Sequence, residues 1–453
     1  MEGKKYLKLF NKIGYGMGDV AANMVYGIVT SFVMIYLTNT VGLNAGIVGT
    51  LIMVSKFADG ITDVLFGNLI DRTHSKMGKA RPWMLYSYIG NSICLIALFA
   101  IPESMGDTAK YAYFFIAYTL LNAIFYTANN VSYSALTSLI TKNGGERVQL
   151  GTFRFIGSTA ANLFVANMTV RFVERFGGGA IGWRTVAILY AVIGLIVNTI
   201  SVFAVKELPE DEKEIAATSK KKEVNLIETL GTIVKNPYFD LLTVLYVLGY
   251  LSVSVSLGAA VYYFTYVTGD VNMYGTFMTM YSIPSVIGLI IVPILVAKTK
   301  SIRNVNLVSF SIQTVFRIAF VVAAISMNIP AMLVLFGLCS LTNCSMMGTF
   351  NALVAEAAEF TTRKTGKKLD GSMYSCTSFG MKVGSGLGSG IMGWLLAAGG
   401  FDETLAVQSA TCNNMLIFMF AGVPVIVVII STIIYYFLRV EKANEQLRNI
   451  VEA

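Results

Sequence analysis

The sequence predicts an all-α membrane protein, with twelve transmembrane helices in two six-helix bundles. Three observations carry this. The 453 residues are 55% apolar and only 13% charged, with a mean hydropathy of +0.65, whereas a soluble surface needs about a quarter charged residues. Apolar stretches long enough to cross a bilayer recur along the chain. Basic residues gather in alternate connecting segments.

About twenty apolar residues span a bilayer as a helix. Such runs fall at 13–39, 45–70, 82–102, 109–140, 150–173, 184–205, 237–266, 272–297, 304–327, 329–357, 372–398 and 413–438. The first is too long and too polar for a cleaved signal peptide. With a cytoplasmic N-terminus, the inward segments carry 26 Lys and Arg and the outward ones only Lys110, Arg171, Arg175 and Arg184. Lys56, Arg154, Arg317 and Lys382 fall inside predicted spans. This asymmetry places both termini in the cytoplasm and requires an even number of spans. It also explains the net charge of +8 as topology, without nucleic acid.

Residues 207–236 form the longest polar segment. They are expected to be a cytoplasmic linker between an N-terminal bundle, 1–206, and a C-terminal bundle, 237–453. Two halves related by an axis along the membrane normal are the plan of a major facilitator fold. An internal echo supports it: the loop DRTHSKMGKARPW after the second run has a shorter counterpart, KTKSIRNVN, after the eighth.

Enzyme chemistry finds no support. The five cysteines are scattered without a CxxC pair, the single histidine, His74, lies in a basic loop, and no GxxxxGK[ST] occurs. Neither a zinc site, a disulfide framework nor an ATP-driven pump is expected. No cofactor is expected beyond a coupling cation.

Ionisable groups inside a membrane are functional candidates because each costs roughly 2.5–3.5 kcal/mol to insert. Here they are Asp19, Lys56, Asp59, Asp63, Arg154, Arg317 and Lys382, with Glu356 and Glu359 near one end of the tenth run. Asp59 and Asp63, four residues apart, share a helix face with Thr62 beside them. Two adjacent carboxylates repel unless a cation or a shared proton lies between them. Thr127, Asn130 and Ser134 form a polar stripe on the fourth run that would complete an oxygen shell. The competing reading makes both acids structural partners of Lys56 or Lys382. Arg154 and Lys382 form a second set, converging on a polar cavity or answering the acids. Arg317 has no evident partner in sequence. Gly384, Gly386, Gly388 and Gly390 suit close helix packing.

At these residues the chain resembles the glycoside–pentoside–hexuronide:cation symporters. The matching segments are GYGMGDVAANMVYG, SKFADGITDVLFGNLIDRTHSKMGKARPWML, NNVSYSAL, FRFIGS and TGKKLDGSMYSCTSFGMKVGSG, in register along nearly the whole chain. The resemblance implies secondary active transport of a sugar with Na⁺ or H⁺, by alternating access, across a bacterial cytoplasmic membrane. It implies a cation site at Asp59, Asp63, Thr62 and Thr127, with the two aspartates as metal ligands if the ion is Na⁺. It implies sugar contacts at Asn23, Asn130, Ser134, Arg154, Thr377, Ser378 and Lys382. Partners would then be a sugar or glycoside, a monovalent cation and the lipid bilayer.

Departures from the family pattern bear on the substrate. Asn23 and Asn130 stand where melibiose-transporting members have aspartates, Ser134 replaces an aromatic residue, and Thr62 stands in place of an asparagine. Two fewer carboxylates beside Arg154 and Lys382 leave a more positive cavity, which raises the expectation of an anionic sugar such as a glucuronide. A neutral xyloside stays open, because asparagine also hydrogen-bonds hydroxyls, and a lysolipid carrier of the same fold is the alternative function. Asp71 is expected to latch the loop after the second run through a nearby Arg or Lys.

Overall fold

The computed structural model describes residues 5–209, 231–366, 370–405 and 407–452. Side chains at 61, 64, 68, 71, 144, 148, 370–372, 374, 375, 378 and 450–452 are outside that description, as is 210–230, the middle of the expected linker. The regular elements among the described residues are all helices, without strands.

The helices are α1 (Leu9–Thr40), α2 (Ala45–Asp71), α3 (Arg81–Leu98), α4 (Asp107–Leu139), α5 (Gly144–Arg175), α6 (Gly179–Ala204), α7 (Pro237–Val267), α8 (Met273–Thr299), α9 (Ile302–Ile325), α10 (Ile329–Thr365) and α11 (Asp370–Ala398). After these come α12, from Ala410 through Phe437, and a short amphipathic α13 (Val440–Glu452). Each of the twelve predicted runs overlaps one of α1–α12. Nine helices among the described residues are long and apolar enough to cross a bilayer. The helices α3, α5 and α11 fall short of that hydropathy. Two of them are the helices that carry Arg154 and Lys382.

Helix starts follow from capping chemistry. The Asn236 side chain accepts from the amides of Tyr238 and Phe239, with Pro237 at the first helical position. Asn143, Ser301, Asn328 and Ser409 cap α5, α9, α10 and α12 in the same way. Each cap satisfies amides that the first turn leaves unpaired.

Two compact units emerge. One comprises Met1–Lys221 with Asp270–Gly275 and Leu396–Gln408; the other comprises Lys222–Gly269, Thr276–Leu395 and Ser409–Ala453. In the first, Tyr15 and Tyr133 tie α1 to α4 reciprocally. Each hydroxyl donates to the other's carbonyl oxygen, at 2.9 and 2.7 Å, and both rings are buried.

α1 meets α5 through glycines. A Cβ on Gly157 would lie 2.6 Å from the Gly16 carbonyl oxygen, and one on Gly16 would lie 2.9 Å from that of Phe153. A backbone oxygen cannot move aside as a side-chain tip can, so Gly157→Leu must push the helices apart. We expect it to cost at least about 1–3 kcal/mol and to lower the thermal midpoint of the purified protein. An unchanged midpoint would refute the close-packing account. In the second unit Gly384 and Gly388 pack against the backbone of α7 at Val247 and Leu251, the role expected of that glycine series.

The echo between the two basic loops has a structural counterpart. In the first unit Glu207 accepts from the amides of Lys79, Ala80 and Arg81, at 2.7, 3.0 and 3.0 Å, while Arg81 Nε donates to the Val202 carbonyl. In the second, Glu441 accepts from the amides of Ile302 and Arg303, at 2.8 and 3.0 Å, and Arg303 Nε donates to the Tyr435 carbonyl. A carboxylate thus neutralises the positive start of one helix while an arginine closes the carbonyl end of another. Gly78, three residues before Arg81, has φ +108°, and Lys300, three before Arg303, has φ +52°. At Gly78 a Cβ would run into the Glu207 carboxylate, which requires glycine there. The side chain of Asp71, the expected latch, lies outside the described residues; Glu207 is the carboxylate seen to hold this loop. The N-terminal segment is pinned by Glu146, which accepts from the Tyr6 and Leu7 amides and from Thr141. Burial would raise the Glu146 pKa, but these hydrogen bonds and nearby Lys12 bring it below the usual carboxylate value.

Candidate functional site

Helix α4 changes pitch where the site begins. Residues Leu120–Tyr126 form a π-helical turn, after which regular α-helix resumes at Thr127. Such wide turns re-aim the side chains that follow and recur at functional sites. The Thr127 hydroxyl donates to Asp59 Oδ1 of α2 and lies 3.0 Å from the Asn122 carbonyl oxygen. Asp59 and Thr127 are both buried. Asp63, one turn further along α2, is half-buried. Thr62 directs its hydroxyl at the Asp59 carbonyl, 3.0 Å away, leaving its oxygen lone pairs to accept a ligand. Carboxylate, hydroxyl and carbonyl oxygens of this kind suit a hard cation or a proton.

Lys56 is buried one turn before Asp59. Its ammonium stands 5.2 Å from the centre of the Tyr26 ring and within electrostatic reach of Asp59. This is the neighbour named by the structural-partner reading of the acids. Among the described residues no group of three or more His, Cys, Asp or Glu could hold a metal ion, so any cation here would rely on hydroxyl and carbonyl oxygens as well.

Arg154 binds Asp19. Its Nε donates to Asp19 Oδ2 at 2.7 Å, and Nη2 reaches Oδ1 at 3.5 Å. Its guanidinium carbon lies 4.2 Å from the centre of the Tyr133 ring, and Nη1 is 3.5 Å from the Ser134 hydroxyl. The arginine therefore links α1, α4 and α5. Its carboxylate partner is on α1 rather than among the α2 acids, so the Arg154 charge is matched by Asp19.

Asn23, one turn after Asp19, donates to the Asp19 carbonyl at 2.8 Å. Asn162 of α5 donates to Asn23 Oδ1 at 3.0 Å. The Asn130 amide lies 3.5 Å from the Tyr126 hydroxyl, and Tyr126 stacks on Tyr26 with ring centres 5.3 Å apart. Half-buried amides beside paired aromatic rings can bind hydroxyls and the apolar face of a sugar. Asn162, Tyr26 and Tyr126 were not singled out from sequence. Asn162 had a signal, lying two turns after Arg154 in an otherwise apolar stretch.

The remaining candidates lie in the second unit. Thr377 is buried and Lys382 half-buried on α11, whereas the side chain of Ser378 lies outside the described residues.

Residues 14–442 match the family described as MFS/sugar transport protein. The chain belongs to that family. It is a multi-pass sugar transporter of the major facilitator fold, and not an enzyme. An inner membrane symporter, YicJ of Escherichia coli K12, is 27% identical over 98% of this chain and 95% of its own length. An isoprimeverose transporter of Lactiplantibacillus pentosus is 26% identical over 96% and 90%. The transporter also shares its fold with a bacterial homologue of the human lysosomal transporter Spinster, with a TM-score of 0.70 at 12% identity, covering 97% of each chain.

Proposed function

We propose that this protein is a sugar:cation symporter with twelve spans in two six-helix halves, both termini cytoplasmic, in a bacterial cytoplasmic membrane. The observation that carries the reading is the buried Asp59 carboxylate receiving the Thr127 hydroxyl, with Asp63 one turn away. Such a pair is stable inside a membrane when it takes up a positive charge and less so without one. The relatives named as a symporter and an isoprimeverose transporter support the same reading. Na⁺ or H⁺ binds at Asp59, Asp63, Thr62 and Thr127. Sugar contacts in the first unit are Asn23, Asn130, Ser134, Arg154 and Asn162, and those in the second are Thr377, Ser378 and Lys382. Alternating access then delivers both ligands to the cytoplasm.

The Asp19–Arg154 ion pair shifts the substrate reading. With its charge matched, Arg154 offers directed hydrogen bonds more than a field for an anion, and Asn23 and Asn130 hydrogen-bond neutral hydroxyls equally well. A neutral glycoside or pentoside is therefore the favoured substrate class. The test is uptake of a labelled pentoside into vesicles under separately imposed Na⁺ and pH gradients, with neutral glycosides and glucuronides as competitors. We expect accumulation under one gradient and stronger competition by the neutral sugars. Stronger competition by glucuronides would return the assignment to an anionic sugar. Competition by lysolipids alone would make the protein a lipid carrier.

A further inference from the structure

The C-terminal unit holds a cavity of 270 Å³ walled by α7, α8, α9, α10 and α12. Among the described residues, Arg317 is the charged group on its wall, and no carboxylate lines it. Arg317 is only 8% exposed, and its Nε and Nη1 have no hydrogen-bond partner among the described residues. Its guanidinium carbon stands 5.8 Å from the centre of the Phe336 ring, too weak a contact to replace a counter-charge. A buried cation left in this state is costly, and an anion entering the cavity would relieve it.

Gln313 lies one turn earlier on the same face of α9 and is 1% exposed. Its amide nitrogen is 3.3 Å from the Cys339 carbonyl oxygen, but its Oε1 has no partner among the described residues. The wall thus pairs unused donors with an unused acceptor one helical turn away. An anion with an adjacent hydroxyl satisfies both. The volume falls just below the roughly 300–1,000 Å³ of ordinary ligand pockets, which suits a body of a few carbons.

We propose that Arg317 and Gln313 form a second site, which takes a small hydroxylated organic anion. The carboxylate or phosphate lies on the guanidinium, and the hydroxyl donates to Gln313 Oε1. The ligand is a free hydroxy acid or the glycerol-phosphate headgroup of an anionic lipid, since both present the same chemistry. Neither residue belongs to the proposed cation and sugar sites.

The first arm of the test titrates the full chain, in nonionic detergent, calorimetrically with glycerate and with glycerol as the neutral control. The second measures thermal unfolding in phosphatidylcholine nanodiscs with and without phosphatidylglycerol. Charge-assisted hydrogen bonding predicts glycerate binding at least about tenfold tighter than glycerol, lost in Arg317→Gln and weakened in Gln313→Leu. If only phosphatidylglycerol raises the unfolding temperature, and does so through Arg317, the occupant is lipid. Binding of glycerate by an Asp59→Asn protein keeps this outcome separate from the symport reading. No response to glycerate and none to phosphatidylglycerol in the wild-type protein would overturn the proposal, whether or not Arg317→Gln folds.

Discussion

Asp59→Asn is expected to abolish cation-driven accumulation while leaving the protein folded in the membrane, and Asp63→Cys is expected to do the same. Asparagine keeps the shape of Asp59 and an acceptor for the Thr127 hydroxyl but removes the charge that draws in a cation. Coupling between two ligands amounts to about 1–3 kcal/mol, a 5–150-fold change in affinity. Sugar affinity in the wild-type protein should rise within that range when the coupling cation is added, and in either variant it should not rise. Facilitated exchange of sugar down its own gradient should survive. The structural-partner reading predicts a different outcome. If Asp59 serves chiefly to hold the buried Lys56, Asp59→Asn leaves an unmatched ammonium, lowers stability, and is rescued by Lys56→Met. Restored, cation-driven accumulation in that double variant would defeat the cation-site assignment.

The second large effect is expected at the α1–α5 ion pair. In Asp19→Asn the Arg154 guanidinium loses its carboxylate partner at 2.7 Å, with both side chains mostly buried. Breaking such a pair from one side costs about 3–5 kcal/mol, because a charge is left uncompensated, whereas replacing both partners costs far less. The double variant Asp19→Asn/Arg154→Gln should therefore regain much of the stability lost by Asp19→Asn alone. Transport should not return with it, because the arginine that reaches Ser134 and Tyr133 is gone. A thermal midpoint unchanged in Asp19→Asn would show that the pair is not an energetic element. Recovery of transport in the double variant would remove Arg154 from the sugar site.

Together these variants bear on a departure that the sequence alone left ambiguous. Asn23 stands where melibiose-transporting members of the resembled family have an aspartate, and the missing charge suggested a positive cavity. In the fold a carboxylate is present one turn earlier, at Asp19, and it meets Arg154. The number of charges was legible in the sequence, but their pairing was not. Asp19 and Arg154 are 135 residues apart, and only the packing of α1 on α5 through Gly16 and Gly157 brings them together.

The helices themselves were legible because lipid imposes a strong rule on composition. Backbone groups in hydrocarbon must bond internally and side chains must be apolar, so the runs stand out residue by residue. The Asp59–Asp63 spacing was legible for a similar reason, since residues four apart on one helix share a face. The π-helical turn before Thr127 left no comparable mark: nothing in LLNAIFY distinguishes a wide turn from a regular one. The same holds for Arg317, whose isolation depends on what four other helices present to it.

The sequence by itself determined that the chain lives in a membrane, where its helices fall and which charges are costly, because hydropathy and helical periodicity are local properties. The tertiary structure decided which charge meets which: Asp19 with Arg154, Glu207 with the start of α3, Glu441 with the start of α9, and Arg317 with none among the described residues. A charge in a medium of low dielectric is governed by groups within a few ångströms, and those neighbours are supplied by distant parts of the chain.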